Sequence, residues 1–142
     1  MPQLLRNTEQ GWQITDEPEA HWTDLDHWSD KAEAGSSLLV SVDSEPDQSW
    51  LSAQAIGIEF PALTDGRGLS LAVLLRSRYG FSGDLVATGA VHEDITHFLA
   101  RCGFNVIALP LDRDLQTALR WISPHSDYYQ ASVSDPTPRF SG

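Results

Sequence analysis

The chain has 142 residues, 41% of them hydrophobic, which suits one domain with a core of its own and not several. Twenty acidic side chains oppose nine basic ones, a net charge of −11, and residues 1–60 carry twelve of the acids against only Arg6 and Lys31. That balance repels phosphate backbones and anionic lipid, so neither nucleic acid nor a membrane surface is an expected partner.

The first 35 residues are polar and acid-rich but hold Trp12, Trp22 and Trp28. Three tryptophans are too many for a free tail, so this segment is expected to cover the core as irregular structure with a hairpin or short helix. An α/β core is expected over 36–130 and a flexible tail over 131–142. The run LLVSV at 38–42 lies between Gly-Ser-Ser and Asp-Ser-Glu-Pro and reads as a strand. AIGIEF at 55–60 reads as another. LSLAVLLRSR at 69–78 is apolar on most sides, which predicts a well-buried helix. Gly80 is placed to end it, with Arg76 and Arg78 in its last turn where cations suit the helix dipole.

DLVATG at 84–89 predicts a third strand, and a helix is expected to begin near His92. Its apolar stripe is Ile95, Phe98, Leu99 and Cys102, with Gly103 just past the end. NVIALP at 105–110 predicts a fourth strand, and DLQTALRWI at 114–122 a last helix capped by Asp112 or Asp114. Strands alternating with helices imply a mainly parallel sheet joined by right-handed crossovers. The fold class is therefore α/β, with the sheet either open and flavodoxin-like or a partial β/α barrel.

Ligands of such sheets gather outside the carboxyl ends of the strands. That edge would present Thr64, Asp65, Arg67, Thr88, His92, Asp94, Asp112 and Arg113. Asp65-Gly66-Arg67-Gly68, between a strand and a helix start, could seat a phosphate or carboxylate on free N–H groups and the arginine. It could equally be a tight turn whose aspartate caps the helix. It lacks the Lys-Ser/Thr ending of a phosphate-binding loop and the third glycine of a dinucleotide fingerprint. His92 is a candidate acid or base, and Asp94 and Arg101 extend the candidate set along the same helix. Glu93 and His97 are spaced as a solvated helix-face pair. His21 and His27 read as local packing beside tryptophans.

Cys102, the only cysteine, falls on the apolar stripe and reads as a small core residue. Alone it can form neither an internal disulfide nor a zinc or iron–sulfur site, and no metal and no cofactor are expected. The opening MPQLLRNTEQGW lacks the apolar core of a signal peptide and no run approaches a membrane span, so a cytoplasmic location is expected.

One stretch carries a longer signal. Phe60-Pro61, Asp65-Gly66-Arg67-Gly68, Ser70, Leu74-Leu75-Arg76, Arg78-Tyr79-Gly80, Gly83, Gly89, Val91, Asp94 and Arg101-Cys102-Gly103-Phe104 together resemble the bacterial family DUF934. The likeness runs from about Ile58 to Phe104 and more weakly to Gln130. Ala90, His92-Glu93 and Ile95 depart from the family pattern, at the expected functional edge. The resemblance implies a protein usually encoded beside assimilatory sulfite reductase, and some relatives are labelled oxidoreductases. It makes an accessory of sulfite reduction the first expectation, docking on the reductase or its electron donor. The alternative is a small oxidoreductase or a binder of anions or phosphonucleotides that uses the strand-edge loops. In a third, purely structural reading, Arg67, Arg76 and Asp94 form a buried ion network.

Overall fold

The structure is a computed structural model that describes residues 3–16, 22–31, 36–62, 66–110 and 113–122. The expected tail over 131–142, Asp65 and Asp112 lie outside the described residues.

The elements are β1 (Gln3–Thr8), β2 (Gly11–Asp16), β3 (Trp22–Asp24), α1 (Leu25–Lys31), β4 (Ser37–Ser41), β5 (Ala55–Phe60), α2 (Gly66–Ser77), β6 (Asp84–Gly89), α3 (Thr96–Cys102), β7 (Val106–Ile107) and α4 (Leu115–Ile122). The strands form one seven-stranded sheet in the order β2-β1-β7-β6-β5-β4-β3. From β3 to β7 the pairing is parallel and follows sequence order. The β1–β2 hairpin then adds antiparallel to β7.

The fold is α/β with a mostly parallel sheet, as expected, and is antiparallel at the hairpin. A doubly wound, flavodoxin-like sheet reverses its strand order, whereas the parallel part here runs in one direction without reversal. Before residue 35 the described residues form the β1–β2 hairpin, β3 and the short helix α1. Alternation in β1 and β2 is weak because the hairpin sits at the sheet margin with one half-wet face. Its burial shows that compromise: only Leu5 is fully buried in β1, and no residue of β2 is fully buried.

The core follows from the strand pleat. Val40, Ile58, Ala87, Ile107 and Leu5 stand opposite one another across five strands and are each 3% exposed or less. Leu38, Ile56 and Leu85 form a second such row. Burying a side chain of this kind stabilises by about 1.5–3 kcal/mol. Right-handed crossovers between successive parallel strands place their helices on one face. α2, α3 and α4 touch in that sequence, and α2 buries Leu71, Ala72 and Leu75 in the core cluster. Trp28 of α1 is 1% exposed, and its indole N–H donates to the Ser49 carbonyl at 2.9 Å.

Candidate functional site

The expected site residues fall at two opposite ends of the sheet. α2 spans twelve residues, about 18 Å, and separates them. Gly66, Arg67 and Gly68 open α2 at the carboxyl end of β5, beside His92 and Asp94 after β6. Arg76 and Arg101 close α2 and α3 at the amino end. They cannot act with the first group at one centre.

At the carboxyl edge, packing accounts for one of the loop glycines. A Cβ on Gly68 would lie 2.3 Å from the Phe60 ring, so the first turn of α2 can rest on the end of β5 only with glycine there. Gly66 meets no such neighbour. Arg67 is exposed on that first turn and has an interaction partner.

His92 precedes a 3-10 turn, Glu93–Ile95, and its Nδ1 accepts the Asp94 N–H at 3.0 Å. Nδ1 also lies 3.3 Å from Glu93 Oε1, within ion-pairing distance when the ring is protonated. Glu93 is the better-held group, with a side chain only 13% exposed. One carboxylate oxygen takes Arg113 Nη1 at 3.2 Å and the other takes the Asp114 N–H at 3.1 Å. The expected helix-face partnership of Glu93 with His97 is thereby replaced. Glu93 instead fastens the loop after β6 to the loop after β7. Burial pushes its carboxyl up, but its own N–H, that of Asp114 and the charges of His92 and Arg113 outweigh this and hold it below the ordinary value of 4.5. Asp94 leaves its side chain 66% exposed.

At the amino edge, Arg76 is a structural hub. Its Nε donates to the Gly103 carbonyl at 2.9 Å, and its Nη1 to the carbonyls of Phe81 at 2.8 Å and Gly83 at 2.9 Å. Nη2 donates to Asn105 Oδ1 at 3.2 Å. Four of the five guanidinium donors are thus paired. The charge also lies 5.7 Å from the centroid of the Phe81 ring. Asn105 Oδ1 accepts the Leu85 N–H at 2.8 Å, and its Nδ2 donates to Asp84 at 3.0 Å. Asp84 in turn pairs with Arg6 at 3.1 Å. Burial pushes the Arg76 guanidinium down from its ordinary value, and the Asp84 charge opposes that.

A polar network therefore exists, but its members are Arg6, Arg76, Asp84 and Asn105. Of the expected trio Arg67, Arg76 and Asp94, only Arg76 belongs to it. Arg6, Asp84 and Asn105 carried no sequence signal, because each is a polar residue at a strand terminus or margin with its partner 20 or more positions away.

Gly103 explains the Arg-Cys-Gly-Phe motif. Its φ of 116° is left-handed and ends α3, and a Cβ there would stand 2.6 Å from Arg76 Cγ. Arg101 is exposed beside it. Cys102 is half-buried, and burial raises its thiol pKa against the lowering effect of Arg101.

α3 differs from its expected stripe. Thr96 and Leu99 are fully buried, while Phe98 is 49% exposed. The helix starts one turn later than expected, and its axis turns Phe98 outward against the His97 ring at 4.1 Å. Between α2 and α3 lies a shallow groove of about 360 Å³, lined by Leu69, Ser70, Val73, Leu74, Ser77 and Cys102. Among the described residues no three His, Cys, Asp or Glu side chains gather as a metal set, and no helix is long and apolar enough to cross a membrane.

The family's sequence pattern matches residues 41–140, well over half of the chain. The chain belongs to DUF934, a bacterial protein family of unknown function. No curated protein and no solved structure matches it significantly. The DUF934 match begins inside β4, so the β1–β2 hairpin, β3 and α1 lie ahead of it. It takes in both the Gly66-Arg67-Gly68 turn and the Arg76–Gly103 hub.

Proposed function

We propose that this DUF934 protein is an accessory of assimilatory sulfite reduction that docks on sulfite reductase or on its electron donor and carries no cofactor of its own. The observation that carries the docking mode is charge distribution. Residues 1–60 hold twelve acids against two bases, and Glu9, Asp26, Glu45 and Glu59 are all exposed among the described residues. A surface so biased steers toward a basic partner and sets the rate of encounter. The link to sulfite reduction comes from the family resemblance.

The geometry favours docking over catalysis in one further respect. Glu93, Arg76 and His92 Nδ1, the most chemically capable groups of the signature region, already hold backbone groups or each other. Gly68 is required for packing on Phe60, which weakens the alternative of an anion-binding loop.

The test is association with purified sulfite reductase and with its electron donor, followed by biolayer interferometry at low and high salt. Binding at low salt should weaken about tenfold on moving to physiological ionic strength. Replacing Glu9, Glu45 and Glu59 together by glutamine should weaken it similarly and leave the melting temperature unchanged. No association at low salt with either protein overturns the proposal.

A further inference from the structure

The groove between α2 and α3 has the opposite character to the rest of the molecule. From Gly66 to Gly83 and from Ile95 to Leu111 the sequence contains no aspartate or glutamate, although the chain has twenty. The same two stretches hold Arg67, Arg76, Arg78 and Arg101, four of the nine basic residues. Arg76 is occupied inside the hub, but Arg78 and Arg101 are exposed. Arg78 follows the groove residue Leu74 by one turn, its N–H bonded to the Leu74 carbonyl at 2.9 Å. Arg101 directly precedes the groove residue Cys102.

The groove floor and walls are mainly apolar. Val73 in the groove is 46% exposed, and Phe98 on α3, outside the groove lining, is 49% exposed; these are two of the three large hydrophobic side chains exposed among the described residues. Phe98 and Cys102 are four positions apart, so they share one face of α3. Apolar side chains left accessible in a groove are where a partner's apolar residues can dock. Its cationic rim selects the charge of what covers it, because an arginine-flanked groove repels a basic segment and attracts a carboxylate-bearing one.

We infer that the α2–α3 groove is a docking site for an acidic amphipathic helix of a partner protein. The helix lays aliphatic or aromatic residues at i, i+3 and i+4 over Leu69, Val73 and Leu74. Its flanking carboxylates meet Arg78 and Arg101. This surface is separate from the acidic amino-terminal segment and opposite in sign, so it stands whether or not that segment docks as proposed above.

The experiment is a selection of 16-residue peptides from a displayed random library on the full chain. Affinities of the enriched peptides are then measured by fluorescence anisotropy. Peptides with net negative charge and an i, i+3, i+4 apolar pattern should be enriched. Val73→Glu should weaken them about tenfold or more, since Val73 is the most exposed apolar residue of the groove. The double variant Arg78→Glu, Arg101→Glu should also weaken them and reduce the salt dependence. Both exposed-site variants are checked for unchanged thermal melting, and the acidic-segment variants Glu9→Gln, Glu45→Gln and Glu59→Gln should bind the peptides as the parent does. Enrichment of neutral or basic peptides, binding that ignores Val73, or no saturable binder overturns the inference. So does concentration-dependent dimerisation abolished by Val73→Glu, which would assign the groove to a second copy of the chain.

Discussion

Arg76 shows how a side chain in a helix's last turn can do more than suit the dipole. Its planar fork reaches three carbonyls in two separate loops and an asparagine amide, which a single lysine ammonium cannot span. Replacing it with alanine strands those acceptors in a half-buried site, and the expected cost is about 3 kcal/mol in urea unfolding. Arg76→Lys should recover less than half of that. Gly103→Ala should also destabilise, by about 2 kcal/mol, through its left-handed φ and the collision with Arg76 Cγ. The two should not add. Removing Arg76 removes the atom that the new methyl strikes, so the double variant should lose less than the two single losses combined. Strict additivity in a double-mutant cycle would show that Gly103 is required for its φ alone.

At the scale of elements, Glu93 decides how α3 and α4 are held together. Its folded-state carboxyl lies below the ordinary value of 4.5, so it stabilises the fold above that pH and loses the contribution as pH falls through the lowered value. Asp114, the cap of α4, behaves alike. It accepts the N–H groups of Gln116 and Thr117, and the Thr117 hydroxyl holds its carboxyl low. Acidification below about pH 4.5 should therefore loosen the α3–α4 side first, read as amide exchange in Thr117 to Ile122. In Glu93→Gln that pH dependence should flatten, with a loss of about 1–2 kcal/mol at neutral pH. A variant that keeps the full acid response would place its origin elsewhere. The elements themselves were largely legible: the strands at 55–60 and 84–89 and the α4 helix follow directly from apolar period and turn residues. What stayed illegible was which way a partly apolar helix turns. Phe98 is exposed and Thr96 buried because tertiary fit against α4, and not the period, chose the buried face of a two-turn helix. The candidate site was readable as residue types but not as a place, because Arg76 and Arg67 look adjacent in sequence terms and stand at opposite edges of the sheet.

For the whole molecule, the DUF934 match and the folded unit do not coincide. The match starts at Ser41, the last residue of β4, yet the sheet runs on through the hairpin to β2. Leu5, Trp28, Leu38 and Val40 all lie before residue 41 and are each at most 3% exposed. Their burial contributes about 6–12 kcal/mol together, comparable with the whole stability of an ordinary domain. The hairpin also shields β7, a strand of two residues whose pairing on that side is Leu5 with Ile107 and Arg6 with Val106. A fragment of residues 41–142 would leave that edge and the underside of α4 uncovered. It should show no cooperative thermal transition and little near-ultraviolet circular dichroism, although its helices persist in part. Adding residues 1–40 as a separate peptide should restore the transition, with Leu5→Ala in that peptide weakening the complementation. A fragment that melts cooperatively by itself would mean that the family unit folds alone and that the acidic segment is an appended docking module.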